Sequence, residues 1–123
     1  MKTLLRLLCL VLVGCANDNT VVEPNHIHTV RLEAQSTFTS TQVNFAVGDQ
    51  NGQMNLGDQS FFNVLPRTQV TLNVMGTNPK AFGGQTQLTG IVVATIYVDG
   101  ARWKWDNGGG DIYGSANATG ILP

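Results

Sequence analysis

This chain is short of most of the residues that usually carry chemistry, and each shortage excludes something. There are two cysteines, Cys9 and Cys15, both within the first fifteen residues. A disulfide framework or a cysteine-rich metal site needs thiols spaced through the domain, and none follow. The two histidines, His26 and His28, stand close together near the start, so nothing downstream supplies an imidazole for a Ser-His-Asp arrangement. Charged residues are only 12% of the chain, with no basic excess. Nucleic acid is excluded as a partner, because its binding rests on a positive field along the phosphates. No apolar run approaches the roughly 18 residues a spanning helix needs. Gly-x-Ser-x-Gly, His-Glu-x-x-His and Walker-type loops are all absent.

What is present begins at the start of the chain. Lys2 and Arg6 form a basic region, Leu7 to Val13 a short apolar one, and Leu12-Val13-Gly14-Cys15 closes it. A basic stretch, a short apolar core and a small residue at the cut form a secretion signal. The four closing residues resemble the lipobox of bacterial lipoproteins. The resemblance implies cleavage before Cys15 by signal peptidase II, a thioether-linked diacylglycerol on Cys15 and usually an amide-linked acyl chain. The lipid bilayer is then a partner through acylated Cys15, and two or more long chains hold a protein far more firmly than one. Residues 1–14 are the expected signal peptide, and Cys9 leaves with them. The mature chain of 109 residues keeps no free thiol, and five basic residues against eight acidic ones bring its net charge to −3.

In the sorting rule of lipobox lipoproteins, an Asp directly after the lipidated Cys retains the protein in the inner membrane. Ala16 stands there, then Asn17 and Asp18. The expected location is the cell envelope, at the outer membrane facing the periplasm. A single acidic residue such as Asp18 also agrees with export to the cell surface.

Residues 15–28 are polar, contain Pro24 and have no apolar period, which predicts a lipidated tether too poor in apolar surface to order itself. Residues 29–123 follow a period of two. Val30, Leu32 and Ala34 alternate with polar residues, as do Val43, Phe45 and Val47, and Val70, Leu72 and Val74. Phe61 to Leu65 is a short apolar run ended by Pro66, and Ile91 to Val98 is a continuous β-branched stretch fit for a central strand. Turn clusters separate them at Gly48 to Gly52, Gly76 to Pro79, Gly83-Gly84 and Asn107 to Gly110. The expected fold is all-β: one immunoglobulin-like sandwich of about seven antiparallel strands.

Asp99-Gly100 between two strand-like runs predicts a two-residue type I′ hairpin. A regular register would put Ile96 opposite Trp103 and Ala94 opposite Trp105, both indoles on the core face. Tyr97, Thr95, Arg102 and Lys104 would share the solvated face. Trp103, Trp105 and Tyr97 are therefore candidates either for core packing or for a ligand platform, in which aromatic rings stack on sugars.

Other candidate sites are weaker. His26-Ile27-His28 has a spacing that suits a metal, yet lies in the tether with no third ligand at hand. Asp106-Asn107-Gly108-Gly109-Gly110-Asp111 has the look of a calcium loop but lacks its alternating oxygens and closing Glu. Gly108 to Gly110 opens no helix that would cradle a phosphate. Glu33, Asp49, Asp58, Asp99, Asp106 and Asp111 fall mostly in turns, where Asp bonds its own backbone. Only a carboxylate pair assembled by folding would suit hydrolysis. No metal, cofactor or catalytic role is expected.

Val93-Ala94-Thr95-Ile96-Tyr97-Val98-Asp99-Gly100, then Tyr113-Gly114-Ser115-Ala116 with Gly120-Ile121, and the segment Phe62-Asn63-Val64-Leu65-Pro66, resemble the MmpS family of small mycobacterial membrane proteins and related lipoproteins. That resemblance implies a β-sandwich in the periplasm and an accessory role beside RND-type exporters. The chain departs from the family in having a lipobox in place of a spanning helix, Arg67 after Leu-Pro where an aromatic is common, and no cysteine pair. Two classes of function follow: a non-catalytic accessory that docks on an envelope protein, or a module that binds glycan or a small molecule. A surface lipoprotein encoded by a phage or plasmid, blocking another phage, is a third possibility.

Overall fold

The alternation of apolar and polar residues becomes an alternation of buried and exposed side chains in the computed structural model, which describes residues 26–78 and 89–123. Eight strands follow in order: β1 (His28–Ser36), β2 (Ser40–Val47), β3 (Gln50–Met54), β4 (Gly57–Val64), β5 (Gln69–Thr77), β6 (Gly90–Val98), β7 (Ala101–Gly110) and β8 (Tyr113–Ile121). They form two antiparallel four-stranded sheets, ordered β4-β1-β6-β7 and β3-β2-β5-β8. The molecule is a small β-sandwich. Val30, Leu32 and Ala34 face Val70, Leu72 and Val74 across the core, and β6 adds Val92, Ala94, Ile96 and Val98, all 1% exposed or less. Each buried Val, Leu or Ile here contributes about 1.5–3 kcal/mol, which lets a domain this small do without cross-links. Among the described residues no helix is long and apolar enough to cross a membrane.

The strand count exceeds the expected seven because β3, Gln50–Met54, has no apolar alternation at all. It is an edge strand held by ladder bonds to β2, with Val47 opposite Gln50. Only Gly48 and Asp49 remain of the expected five-residue turn. Asn107 to Gly110 corrects the expectation likewise: they continue β7 and pair with β6 from Val93 to Gly90. Their glycines serve close approach, not a bend. A Cβ on Gly108 would collide with the Ser115 carbonyl, and one on Gly110 with that of Tyr113. Without side chains here, β7 can lie against β8 and close one side of the sandwich. Gly76 and Thr77 belong to β5 instead of a turn, and Gly83-Gly84 lies outside the described residues.

Each end of the sandwich has its own closure. At one end Phe38, between β1 and β2, is buried against Gly76, Gly90 and Gly114, which come from β5, β6 and β8. A Cβ on any of the three would overlap the phenyl ring. Asn78 ties the same end, accepting from the Thr39 amide at 2.9 Å and hydroxyl at 2.7 Å and donating to the Asp111 carbonyl at 3.1 Å. At the other end lie the β6–β7 hairpin, the start of β1 and the segment after β8.

Candidate functional site

The outer face of the β4-β1-β6-β7 sheet gathers most of the side chains with chemistry. Cross-strand register sets them in two rows. Ser60, Arg31, Tyr97 and Arg102 form one, and Asp58, Glu33, Thr95 and Trp105 the other. The Arg31 guanidinium carbon lies 3.9 Å from the Tyr97 ring centroid, and Arg102 covers Trp105 at 4.2 Å. Arg31 also meets Glu33 at 3.7 Å and Asp58 at 3.4 Å, and the Tyr97 hydroxyl donates to Glu33 at 3.3 Å. Arg31 therefore sits between two carboxylates that would otherwise repel each other directly across the ladder. Sequence reasoning missed this partnership, because it depends on which strand lies beside β6.

Tyr97 and Trp105 share the outer face, but Trp103 does not. Tyr97 pairs with Arg102, whereas Ile96 pairs with Lys104, so Trp103 is the extra residue of a β-bulge. A bulge re-aims the side chains beyond it. Trp103 packs against the core over Gly120, where an added Cβ would come within 2.6 Å of the indole. Trp105 moves to the outside, opposite Thr95, and is 52% exposed. Lys104, opposite the core residue Ile96, stays on Trp103's side with its ammonium 5.2 Å from that ring. The expected shared core face for both indoles is thus corrected, as is the expected outward face for Lys104. The type I′ turn holds, with φ of 53° at Asp99 and 86° at Gly100.

The two indoles should respond oppositely to acrylamide. Trp105→Phe is expected to remove most of the quenchable fluorescence, and Trp103→Phe to leave it. The Arg102–Trp105 contact, as an exposed cation–π pair, contributes about 0.5–1 kcal/mol. Equal quenching of the two variants counts against the bulge.

His28 corrects a second expectation. It is the first residue of β1 and fully buried, not part of a polar tether. Its Nδ1 lies 2.7 Å from Asp99 Oδ2, and Nε2 lies 3.3 Å from the Pro123 carbonyl. Asp99 Oδ1 accepts from the Thr29 amide at 2.9 Å, and the Asp99 amide donates to the Thr29 carbonyl at 2.8 Å. Partial burial pushes the Asp99 carboxyl up, but the bonds from His28 and Thr29 and the field of His28 and His26 outweigh it. The group is held below the usual carboxylate range. His26 and His28 meet edge to face at 5.4 Å, and no group of three or more His, Cys, Asp or Glu that could hold a metal occurs among the described residues.

The remaining carboxylates are spent singly. Asp106 accepts from the Asn117 amide at 2.9 Å, joining β7 to β8, and Asp111 accepts from the Thr89 hydroxyl at 3.1 Å. The two ends of the calcium-like stretch therefore lie on separate structural bonds. Leu12, Val13, Gly14 and Cys15 lie outside the described residues. Comparisons with protein-family models, curated proteins and solved structures returned no match.

Proposed function

We propose that this chain is a lipid-anchored bacterial envelope lipoprotein whose β-sandwich is a non-catalytic accessory or structural component. The observation that carries the reading is Leu12-Val13-Gly14-Cys15 behind Lys2, Arg6 and a short apolar core. Support for a non-catalytic domain comes from its polar groups, since no buried side-chain nitrogen or oxygen lacks a partner among the described residues. Glu33 and Asp58, the one register-paired set of carboxylates described, are bridged by Arg31 instead of flanking an open site. In this reading the protein sits at the outer membrane facing the periplasm, or at the cell surface, and docks on another envelope protein. An exporter is the partner class to which the MmpS-like segments point.

Mass spectrometry of the membrane fraction, with and without globomycin, tests it. The expected mature species starts at Cys15 and carries acyl chains, and globomycin is expected to accumulate the precursor. A Cys15→Ser chain is expected to stay unprocessed. An unacylated soluble species, or one that keeps residues 1–14, overturns the reading. A second reading rests on Trp105, whose half-exposed ring shares the outer face with Tyr97: a module for a glycan or small ligand. Each ring already has a guanidinium against it, so a sugar would have to displace Arg31 or Arg102 or use the exposed ring edges. Saturable change of Trp105 fluorescence with oligosaccharides would favour that module.

A further inference from the structure

The end of the sandwich where β1 begins carries four exposed apolar side chains. Ile27 precedes β1, Phe62 and Leu65 lie at the end of β4, and Ile121 ends β8; each is more than half exposed. Ladder and turn bonds hold these segments at one end: His28 pairs with Val64, Gln69 with Ile121, and the Arg67 amide donates to the Leu122 carbonyl at 2.9 Å. Beside these side chains stand Arg67 and Lys104, neither of which has a carboxylate partner among the described residues. Lys104 reaches toward Gly120 in the last turn of β8. Arg102 follows the hairpin on the neighbouring face and likewise has no acidic partner among the described residues.

Charge differs between the two ends. Asp58 and Asp111 stand toward the Phe38 end, with the exposed Leu56, Ile91, Ile112 and Tyr113. At the His28 end, Asp99 is occupied by His28 and Thr29, and Asp49 of the β2–β3 turn lines one groove with Phe62, Leu65 and Arg67, so that Arg67, Lys104 and Arg102 outnumber the one remaining carboxylate among the described residues. Exposed apolar side chains edged by an excess of cations suit an anionic bilayer surface. Apolar side chains enter the acyl boundary, and long basic ones stay at headgroup level.

We infer that the His28 end is a membrane-docking surface: Ile27, Phe62, Leu65 and Ile121 dip into the interface, with Arg67 and Lys104 on anionic headgroups. This rests on acylation of Cys15. Ten residues lie between Cys15 and His26, enough to reach about 40 Å if extended. A tether of that length does not by itself press the domain to the bilayer; the surface of the domain does.

The test uses the full acylated protein in phosphatidylcholine vesicles with and without phosphatidylglycerol. After processing and acylation no free thiol remains, so a Leu65→Cys variant labelled with an environment-sensitive fluorophore reports one place. Ile112→Cys reports the opposite end. The Leu65→Cys probe is expected to shift to the blue and to be quenched several-fold more by brominated lipid than the Ile112→Cys probe, most strongly with phosphatidylglycerol. Adding Arg67→Glu and Lys104→Glu is expected to abolish the phosphatidylglycerol effect while the protein still sediments with the vesicles. Acylated, sedimenting protein with both probes in water overturns the docking and leaves the lipoprotein reading intact. Protein that stays soluble, with Cys15 open to the label, overturns both.

Discussion

Phe38→Ala is expected to lower the unfolding free energy by about 3–5 kcal/mol, the usual cost of emptying a buried aromatic site. In a domain of this size that shifts the thermal midpoint down by more than about 10 °C. The ring fills a cup whose walls are the Cα atoms of Gly76, Gly90 and Gly114, on three different strands. Backbone that close has little freedom to collapse into the space left behind, which places the cost toward the upper end. The converse substitution separates packing from generic damage. Gly76 does not have a positive φ, so Ala is allowed there by the backbone, yet its Cβ would overlap Phe38. Gly76→Ala alone is expected to cost about 1–3 kcal/mol through overpacking. In the Phe38→Ala background the same methyl enters vacated space, so its cost should fall or change sign. A coupling energy of about 0.5–3 kcal/mol from urea unfolding of the four species is the expected result. Strict additivity would show that Phe38 is not what these glycines accommodate.

Phe38 also marks the limit of what was legible in the chain. It stands in Ser36-Thr37-Phe38-Thr39-Ser40, with a serine two positions to either side, and its partners lie far downstream. The strands β1, β2, β5 and β6 were readable because one face of each is buried, and burial writes itself as alternation. β3 was not, since an edge strand held by backbone bonds to one neighbour leaves no apolar trace. Gly108 to Gly110 read as a turn because glycine permits both a bend and close contact, and only the position of β8 decides between them. The bulge at Trp103 has the same origin. Hairpin register from Asp99-Gly100 is local information, whereas the pull of the Gly120 gap on the indole comes from another sheet.

The candidate sites divide along the same line. The proposed lipobox at Leu12 to Cys15 is a reading that needs no fold, because an enzyme is expected to take it as an extended peptide. The Arg31–Tyr97–Glu33 cluster exists only after β1 settles beside β6, and nothing in either segment alone names its partner. His28 was misread because a residue just after a polar stretch has the composition of a linker, while its burial depends on a hairpin 71 residues away.

Asp99→Ala is expected to destabilise the domain by about 2–4 kcal/mol, from two separable causes. The buried His28 ring and the Thr29 amide lose their acceptor, at about 1–3 kcal/mol for such groups left unpaired. Alanine must also hold a φ of 53°, which costs about 1–2 kcal/mol in the left-handed region. Asp99→Gly removes the second cost and keeps the first. Asp99→Asn keeps one acceptor oxygen where the carboxylate offers two and tolerates the turn, so it is expected to be the mildest of the three, losing the charge and one of the two bonds. Charge has its own signature. The Asp99 carboxyl is held below its ordinary value, so its contribution to stability is fully present above the usual carboxylate pKa of about 3.9. That contribution is lost as pH falls through the depressed folded-state value. The gap in stability between the parent and Asp99→Asn should therefore be constant near neutrality and shrink only below about pH 4. Urea unfolding across that range measures it. A gap that persists unchanged into strong acid would assign the whole effect to the lost acceptor and none of it to the charge.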